Sequence, residues 1–199
     1  MIRLREVELV KTIFDPRKLE DPGYPHFAIA GRSNVGKSSL INKVLGRQKL
    51  AKISKTPGRT RSINYYLVDK KFIIADLPGY GFAKVSMRER KSWKHLVEKY
   101  FTLITDVLAV FLLVDSKRAV EEEEEMILNF LSTFGAQVVV VFTKVDRLTQ
   151  KERAGLRSRS SEHVVDITGR EPIFFSARTG EGKEKIVRAM SEFLSKGRN

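Results

Sequence analysis

Gly31-Arg32-Ser33-Asn34-Val35-Gly36-Lys37-Ser38 follows the apolar run Phe27-Ala28-Ile29-Ala30 and precedes apolar residues at Leu40, Ile41, Val44 and Leu45. The first run is too short for a helix and the later spacing is helical, so the segment reads as strand, loop, helix. The octapeptide fits G-x-x-x-x-G-K-[ST], and a strand-loop-helix setting is the one in which that pattern cradles phosphates. Backbone N–H groups of Arg32, Ser33, Asn34, Val35 and Gly36 and the start of the helix can cup a β-phosphate. The Lys37 amine can neutralise β- and γ-oxygens, and the Ser38 hydroxyl, followed by Ser39, can ligate Mg²⁺. A nucleoside triphosphate is implied, with its base still open.

The same alternation continues along the chain. Ser62 to Val68 and Phe72 to Ala75 read as strands joined at Asp69-Lys70-Lys71, a connection short enough to demand an antiparallel pair. Val107 to Val114 and Val138 to Phe142 are continuous apolar runs, the mark of strands buried on both faces of a parallel sheet, and Pro172 to Phe175 is the last strand. Helical periodicity covers Met87 to Phe101, Val120 to Phe134, Gln150 to Ser158 and Gly182 to Leu194. The expectation is an α/β fold: a mostly parallel central sheet with one antiparallel strand, helices on both faces, and ligand at the carboxyl ends of the strands. Residues 1–199 read as one domain, with 1–22 as an N-terminal extension packing on it. The run Glu121 to Glu125 opens a helix, where negative charge complements the helix dipole.

No apolar run approaches the roughly 18 residues of a membrane span. Met1-Ile2-Arg3-Leu4-Arg5-Glu6 lacks the apolar core of a secretory signal, so a cytoplasmic location is expected. The chain has no cysteine, which excludes disulfides and thiolate metal sites. Its net charge of +13 is unevenly placed. Between Pro22 and Val68 there is no Asp or Glu, while Arg32, Lys37, Lys43, Arg47, Lys49, Lys52, Lys55, Arg59 and Arg61 all fall there. A solvated surface is the plain reading of charged residues, but an acid-free stretch this long points to a polyanionic partner.

Three further segments carry chemistry. Thr143-Lys144-Val145-Asp146 directly follows a buried strand. A carboxylate at Asp146 can accept hydrogen bonds from guanine N1–H and the N2 amino group, whereas adenine offers neither. The Lys144 stem can lie over the base, and Phe175-Ser176-Ala177 can offer a backbone N–H to the guanine O6. Asp76-Leu77-Pro78-Gly79 ends another strand, where Asp76 can hold Mg²⁺ through water and the Gly79 N–H can meet a γ-phosphate. Lys55-Thr56-Pro57-Gly58-Arg59-Thr60-Arg61-Ser62 supplies a threonine to close over Mg²⁺. Thr60 is the choice, because Thr56 precedes Pro57 and is biased to an extended conformation.

These residues together resemble the TrmE-Era-EngA-EngB-Septin-like GTPases, and most closely the EngB (YihA/YsxC) family. The likeness runs through GRSNVGKSS from Gly31, SKTPGRTRSINYY from Ser54, DLPGYGFAKV from Asp76, LLVDSKR from Leu112, TKVD from Thr143 and FSARTGEG from Phe175. It implies a Ras-like fold, GTP and GDP as ligands, Mg²⁺-dependent GTP hydrolysis, a part in assembly of the large (50S) ribosomal subunit, and a link to cell division and septation. Partners implied are ribosomal RNA and ribosomal proteins of the large subunit or its precursor, met by a monomer. The alternative is a GTP-regulated factor at the division site that acts on protein partners.

Tyr80 stands where Ras-type enzymes place a glutamine that orients the attacking water, so hydrolysis by the isolated chain is expected to be slow. Lys37, Thr60 and Gly79 are then the catalytic candidates. In related GTPases an asparagine at the place of Asn34 coordinates K⁺ near the phosphates; the other reading is that Asn34 tolerates a left-handed turn.

Overall fold

The computed structural model describes residues 4–47, 50–51, 62–81, 87–118 and 120–197. Seven strands form one sheet: β1 (Val7–Ile13), β2 (His26–Gly31), β3 (Ile63–Val68), β4 (Phe72–Asp76), β5 (Val107–Asp115), β6 (Val138–Thr143) and β7 (Ile173–Phe174). Their order is β1-β3-β4-β2-β5-β6-β7. β3 pairs antiparallel with both neighbours and every other pairing is parallel, so β3 alone runs against the sheet. The helices are α1 (Lys37–Val44), α2 (Met87–Leu103), α3 (Glu122–Ser132), α4 (Gln150–Thr168) and α5 (Lys183–Lys196). This is the Ras-like α/β architecture expected.

The buried strands divide their side chains between two cores at a period of two, as a pleated strand must. Phe27 and Ile29 of β2 and Phe111 and Leu113 of β5 face the layer of α1 and α5, where Leu40, Ile41, Ile186 and Met190 lie. Ala28, Ala30, Val110 and Leu112 face the layer of α2, α3 and α4, where Leu96, Tyr100, Leu128 and Val164 lie. Because β2, β4, β5, β6 and β7 are parallel and sandwiched, their carboxyl ends emerge along one edge, where the connecting loops collect.

Two features differ from the sequence expectation. The N-terminal segment read as an extension contributes the edge strand β1. Asp69 and Lys70 turn the β3–β4 hairpin at positive φ, and the Asp69 carboxylate accepts from the Arg5 and Glu6 N–H groups at 3.0 and 2.7 Å, which holds β1 in place. A bulge at Val10, between the pairs Leu9–Tyr66 and Lys11–Tyr65, breaks the alternation by which β1 would have shown itself. Helix α4 runs to Thr168 rather than Ser158, and it ends where Gly169 adopts φ +67.

His26 is fully buried where β2 begins, its Nδ1 3.0 Å from the Tyr100 hydroxyl and its ring edge-on to Tyr65. Burial pushes its pKa down from 6.5 to about 4, against a weaker pull from Asp21. Above pH 6.5 the imidazole is neutral whether folded or not. As pH falls towards 4 the unfolded chain takes up a proton that the folded chain refuses, so stability is lost across that window by up to about 3 kcal/mol. Chemical denaturation from about pH 7.5 down to 4 should show a shallower acid-side decline for His26→Gln than for the parent. Parallel curves would show that His26 does not drive it.

Candidate functional site

The loop from β2 to α1 is shaped by close approach. A Cβ at Gly31 would lie 2.8 Å from the Leu113 carbonyl oxygen and 2.9 Å from Val35 Cγ1, so a side chain there would force the loop off the sheet. Gly36 caps α1 at φ +114 and no side chain caps the helix, which leaves its first N–H groups available to an anion. Lys37, Ser38 and Ser39 follow, half-buried. Asn34 is exposed at φ +62, a left-handed conformation, which is compatible with both readings of this residue.

Asp76 ends β4 beside this loop. Its carboxylate is buried, and Oδ1 has no hydrogen-bond partner among the described residues. Burial lifts its pKa to about 6, with the Lys37 charge opposing. Burial likewise lowers the pKa of the Lys37 amine, with Asp76 opposing. A Cβ on Gly79 would lie 2.8 Å from Ser33 Oγ and 3.2 Å from Lys37 Nζ, so the loop after Asp76 rests directly on the phosphate loop. The Ser33 N–H donates to the Tyr80 carbonyl at 2.9 Å, and Tyr80 forms a parallel bridge with Arg32.

The Tyr80 ring does not stand free to orient a water molecule. It is buried edge-on to Trp93 of α2 with ring centres 6.1 Å apart, and the Trp93 indole N–H donates to the Pro78 carbonyl at 2.8 Å. Burial pushes the Tyr80 phenol pKa far up, helped by the Glu124 and Glu123 carboxylates. Those glutamates have a second task beyond the helix dipole. Arg32 reaches Glu123 at 3.0 Å, Glu121 at 3.5 Å and Glu124 at 3.9 Å, so the side chain of Arg32 is committed to α3 while its backbone stays in the loop.

The segment after β6 is tied to the phosphate loop. The Thr143 hydroxyl donates to the Val35 carbonyl at 2.7 Å. Lys144 sits at φ +59, and its amine donates to the Asn34 carbonyl at 2.8 Å and to Asp115 Oδ2 at 2.7 Å. Burial alone would raise the Asp115 pKa, but the hydrogen bonds from Lys144 and the Lys117 N–H prevail and lower it. Asp146 Oδ1 accepts from the Ser176 hydroxyl at 2.7 Å, the largest reason its pKa is lowered, and Arg178 lies 3.5 Å from Oδ2. The Val145 N–H donates to the Phe175 carbonyl at 3.3 Å. The Ser176 N–H is used by the Glu181 carbonyl at 3.0 Å, which leaves the Ala177 N–H as the donor with no bond among the described residues.

Of the predicted site residues, the structure brings together the phosphate loop, Asp76 to Gly79, Thr143 to Asp146 and Phe175 to Ala177. Gly58, Arg59, Thr60 and Arg61 lie outside the described residues; Ser62, next to them, is buried ahead of β3. Sequence reasoning missed Arg153 and Glu181. Arg153 donates through Nε and Nη2 to the Val145 carbonyl at 3.0 and 2.8 Å, and pairs with Glu181 at 3.1 Å.

The loop from β2 into α1 and the Asp146 carboxylate, set along one edge of a Ras-like sheet, are the arrangement of a P-loop GTPase, and that is the class the comparisons give. Residues 26–144 match the family described as 50S ribosome-binding GTPase. Over 194 residues the chain is 38% identical to a probable GTP-binding protein EngB of Geobacillus kaustophilus (strain HTA426), covering 98% of this chain and 100% of that one. It is 42% identical over 194 residues to a probable GTP-binding protein EngB of Thermotoga maritima, covering 96% and 97%. It matches the crystal structure of a probable GTP-binding protein engB with a TM-score of 0.62 over 86% of this chain and 99% of that one; at 23% identity this is a likeness of fold. The chain belongs to the EngB family of GTP-binding proteins.

The base site generates a direct test. Asp146→Asn exchanges an acceptor for a donor, so the affinity for GTP should fall by roughly a hundredfold or more, while xanthine nucleotide, whose C2 oxygen can accept from the amide, gains. Titration with GTP, XTP and ATP reads both changes. Unaltered GTP affinity would remove Asp146 from the base site.

Proposed function

We propose that this GTPase is a cytoplasmic, monomeric switch in assembly of the large ribosomal subunit, read out by the loop Asp76 to Tyr80. The observation that carries this reading is the seating of that loop. It is hydrogen-bonded to the phosphate loop on one side and, through Trp93, to α2 on the other. A γ-phosphate held by the Lys37 amine and the phosphate-loop N–H groups would compete with Gly79 for the space beside Lys37. The loop then shifts, and Trp93 carries the shift into α2.

Mg²⁺ fits the donor set. Asp76 has a buried carboxylate oxygen without a partner among the described residues, and the Ser38 hydroxyl opens the adjacent helix. One carboxylate beside substrate phosphates is the usual protein share for this ion. Ser38, Thr60 and, through water, Asp76 would hold it, and when bound it neutralises the β- and γ-oxygens. Once the loop has shifted, the Gly79 N–H would be the group that meets the γ-phosphate. Because the Tyr80 ring is packed away, the residue that follows Gly79 does not orient water, and intrinsic hydrolysis is slow. Asn34 is the candidate ligand for K⁺.

The ribosomal reading draws on the 50S ribosome-binding description of the matching family and on the uneven charge. Lys43, Arg47 and the exposed Lys91 are the described part of this basic surface; Lys49, Lys52, Lys55 and Lys84 lie outside the described residues, as do the side chains of Arg88 and Arg90. Contacts of this kind are mainly to phosphates, so they weaken steeply with salt.

Cosedimentation with large-subunit particles should be strongest with a GTP analogue, fall with salt, and drop when Lys49, Lys52 and Lys55 are neutralised. Equal binding in every nucleotide state would sink the switch, and absence of binding would favour a division-site role through protein partners. Thr60→Ala should retain GDP and lose roughly tenfold in Mg²⁺-GTP affinity; a variant that binds GTP like the parent would show that another group closes the site. Exchanging Na⁺ for K⁺ should speed hydrolysis if Asn34 ligates the cation, and an unchanged rate leaves Asn34 to the turn alone.

A further inference from the structure

Arg153 occupies the first turn of α4, where a reciprocal capping box fixes it. The Thr149 hydroxyl accepts from the Glu152 N–H at 3.3 Å, and the Glu152 carboxylate accepts from the Thr149 N–H at 2.7 Å. From there the guanidinium straddles two loops. Nε and Nη2 both donate to the Val145 carbonyl, at 3.0 and 2.8 Å, and Nη1 and Nη2 meet the two Glu181 carboxylate oxygens at 3.3 and 3.1 Å. The Val145 carbonyl belongs to the peptide unit that leads into Asp146, so the fork holds the plane from which the Asp146 side chain departs. Glu181 is engaged at its other end as well, because its carbonyl accepts the Ser176 N–H at 3.0 Å. Ser176 is the residue whose hydroxyl orients the Asp146 carboxylate.

We propose that Arg153 and Glu181 are a positioning pair that sets the spacing between the Asp146 loop and the Ser176–Ala177 loop, and so sets the preference for guanine over hypoxanthine. The proposal rests on the reading that Asp146 receives the base. A carboxylate that must accept from two adjacent base donors tolerates a displacement of only about 0.5 Å, which makes the support of its backbone decisive. Neither residue touches the base; both act through Val145, Asp146 and Ser176. As a mere surface ion pair the two would contribute little, since each side chain is about one-third exposed, at 34% and 33%. The difference lies in the bidentate grip on a backbone carbonyl, which no rearrangement of surface charges replaces.

The test compares GDP with IDP, which lacks only the N2 amino group, for the parent, Arg153→Ala, Arg153→Lys and Glu181→Gln, with circular dichroism to confirm folding. Arg153→Ala should weaken GDP by roughly tenfold and IDP by less than about threefold, so that the ratio between them collapses. Arg153→Lys can reach only one partner at a time and should fall between. A purely structural role would lower the melting temperature and leave the GDP-to-IDP ratio unmoved, and that outcome overturns the pair. If Arg153→Ala does not fold, Glu181→Gln, which keeps shape and removes charge, decides by the same ratio. A parent that binds GDP and IDP alike would overturn the Asp146 reading itself, and the pair with it.

Discussion

The Lys144 ammonium holds the two halves of the site in register. It is one-quarter exposed and lies between the Asn34 carbonyl of the phosphate loop and the Asp115 carboxylate at the end of β5, at 2.8 and 2.7 Å. Next to it the Thr143 hydroxyl reaches the Val35 carbonyl. These contacts bind the end of β6 to a loop over a hundred residues earlier, across the intervening β5. The distance from the β2–α1 loop to the segment after β6 is therefore a property of the sheet and its cross-ties, not of any loop taken alone. Removing the Lys144 amine would leave the Asp115 carboxylate half-buried with, among the described residues, the Lys117 N–H as its hydrogen-bond partner, the more costly half of a broken pair.

Legibility from sequence followed the range of the interactions. The phosphate loop was readable because its demands are local: a glycine pressed against β5, a second glycine in a left-handed cap, and a lysine opening the helix. The central strands were readable because burial on both faces leaves uninterrupted apolar runs. The strand β1 was not, because the bulge at Val10 shifts the alternation midway and its partner β3 lies some fifty residues on. The far half of α4 was hidden by the polar stretch from Arg157 to His163, which carries no apolar stripe until Val164. Arg153 and Glu181 escaped for a related reason. A charged residue on a helix surface reads as solvated, and a separation of twenty-eight positions along the chain conceals their pairing.

The glutamate run and Tyr80 show how a residue can be read correctly in kind and incompletely in use. Negative charge at the start of α3 does suit the helix end, and Glu121 with Glu124 forms a capping box. The same carboxylates also anchor Arg32, so α3 is joined to the phosphate loop by ion pairs. Tyr80 was read for what its phenol fails to do in catalysis. Its place in the structure is that of a core residue, buried against Trp93, whose backbone carries the contact with Ser33.

Trp93 is the only tryptophan in the chain, and its indole N–H is bonded to the Pro78 carbonyl in the loop that rests on Lys37. An indole is an optical probe whose emission depends on its hydrogen bond and on the polarity around it. The chain's single indole thus stands at the joint between the phosphate loop and α2. Light emitted by this protein comes chiefly from that joint, without a label and without a competing tryptophan elsewhere. Stopped-flow fluorescence of the unmodified chain, excited at the indole, consequently reports on the surroundings of this one joint and on any change there.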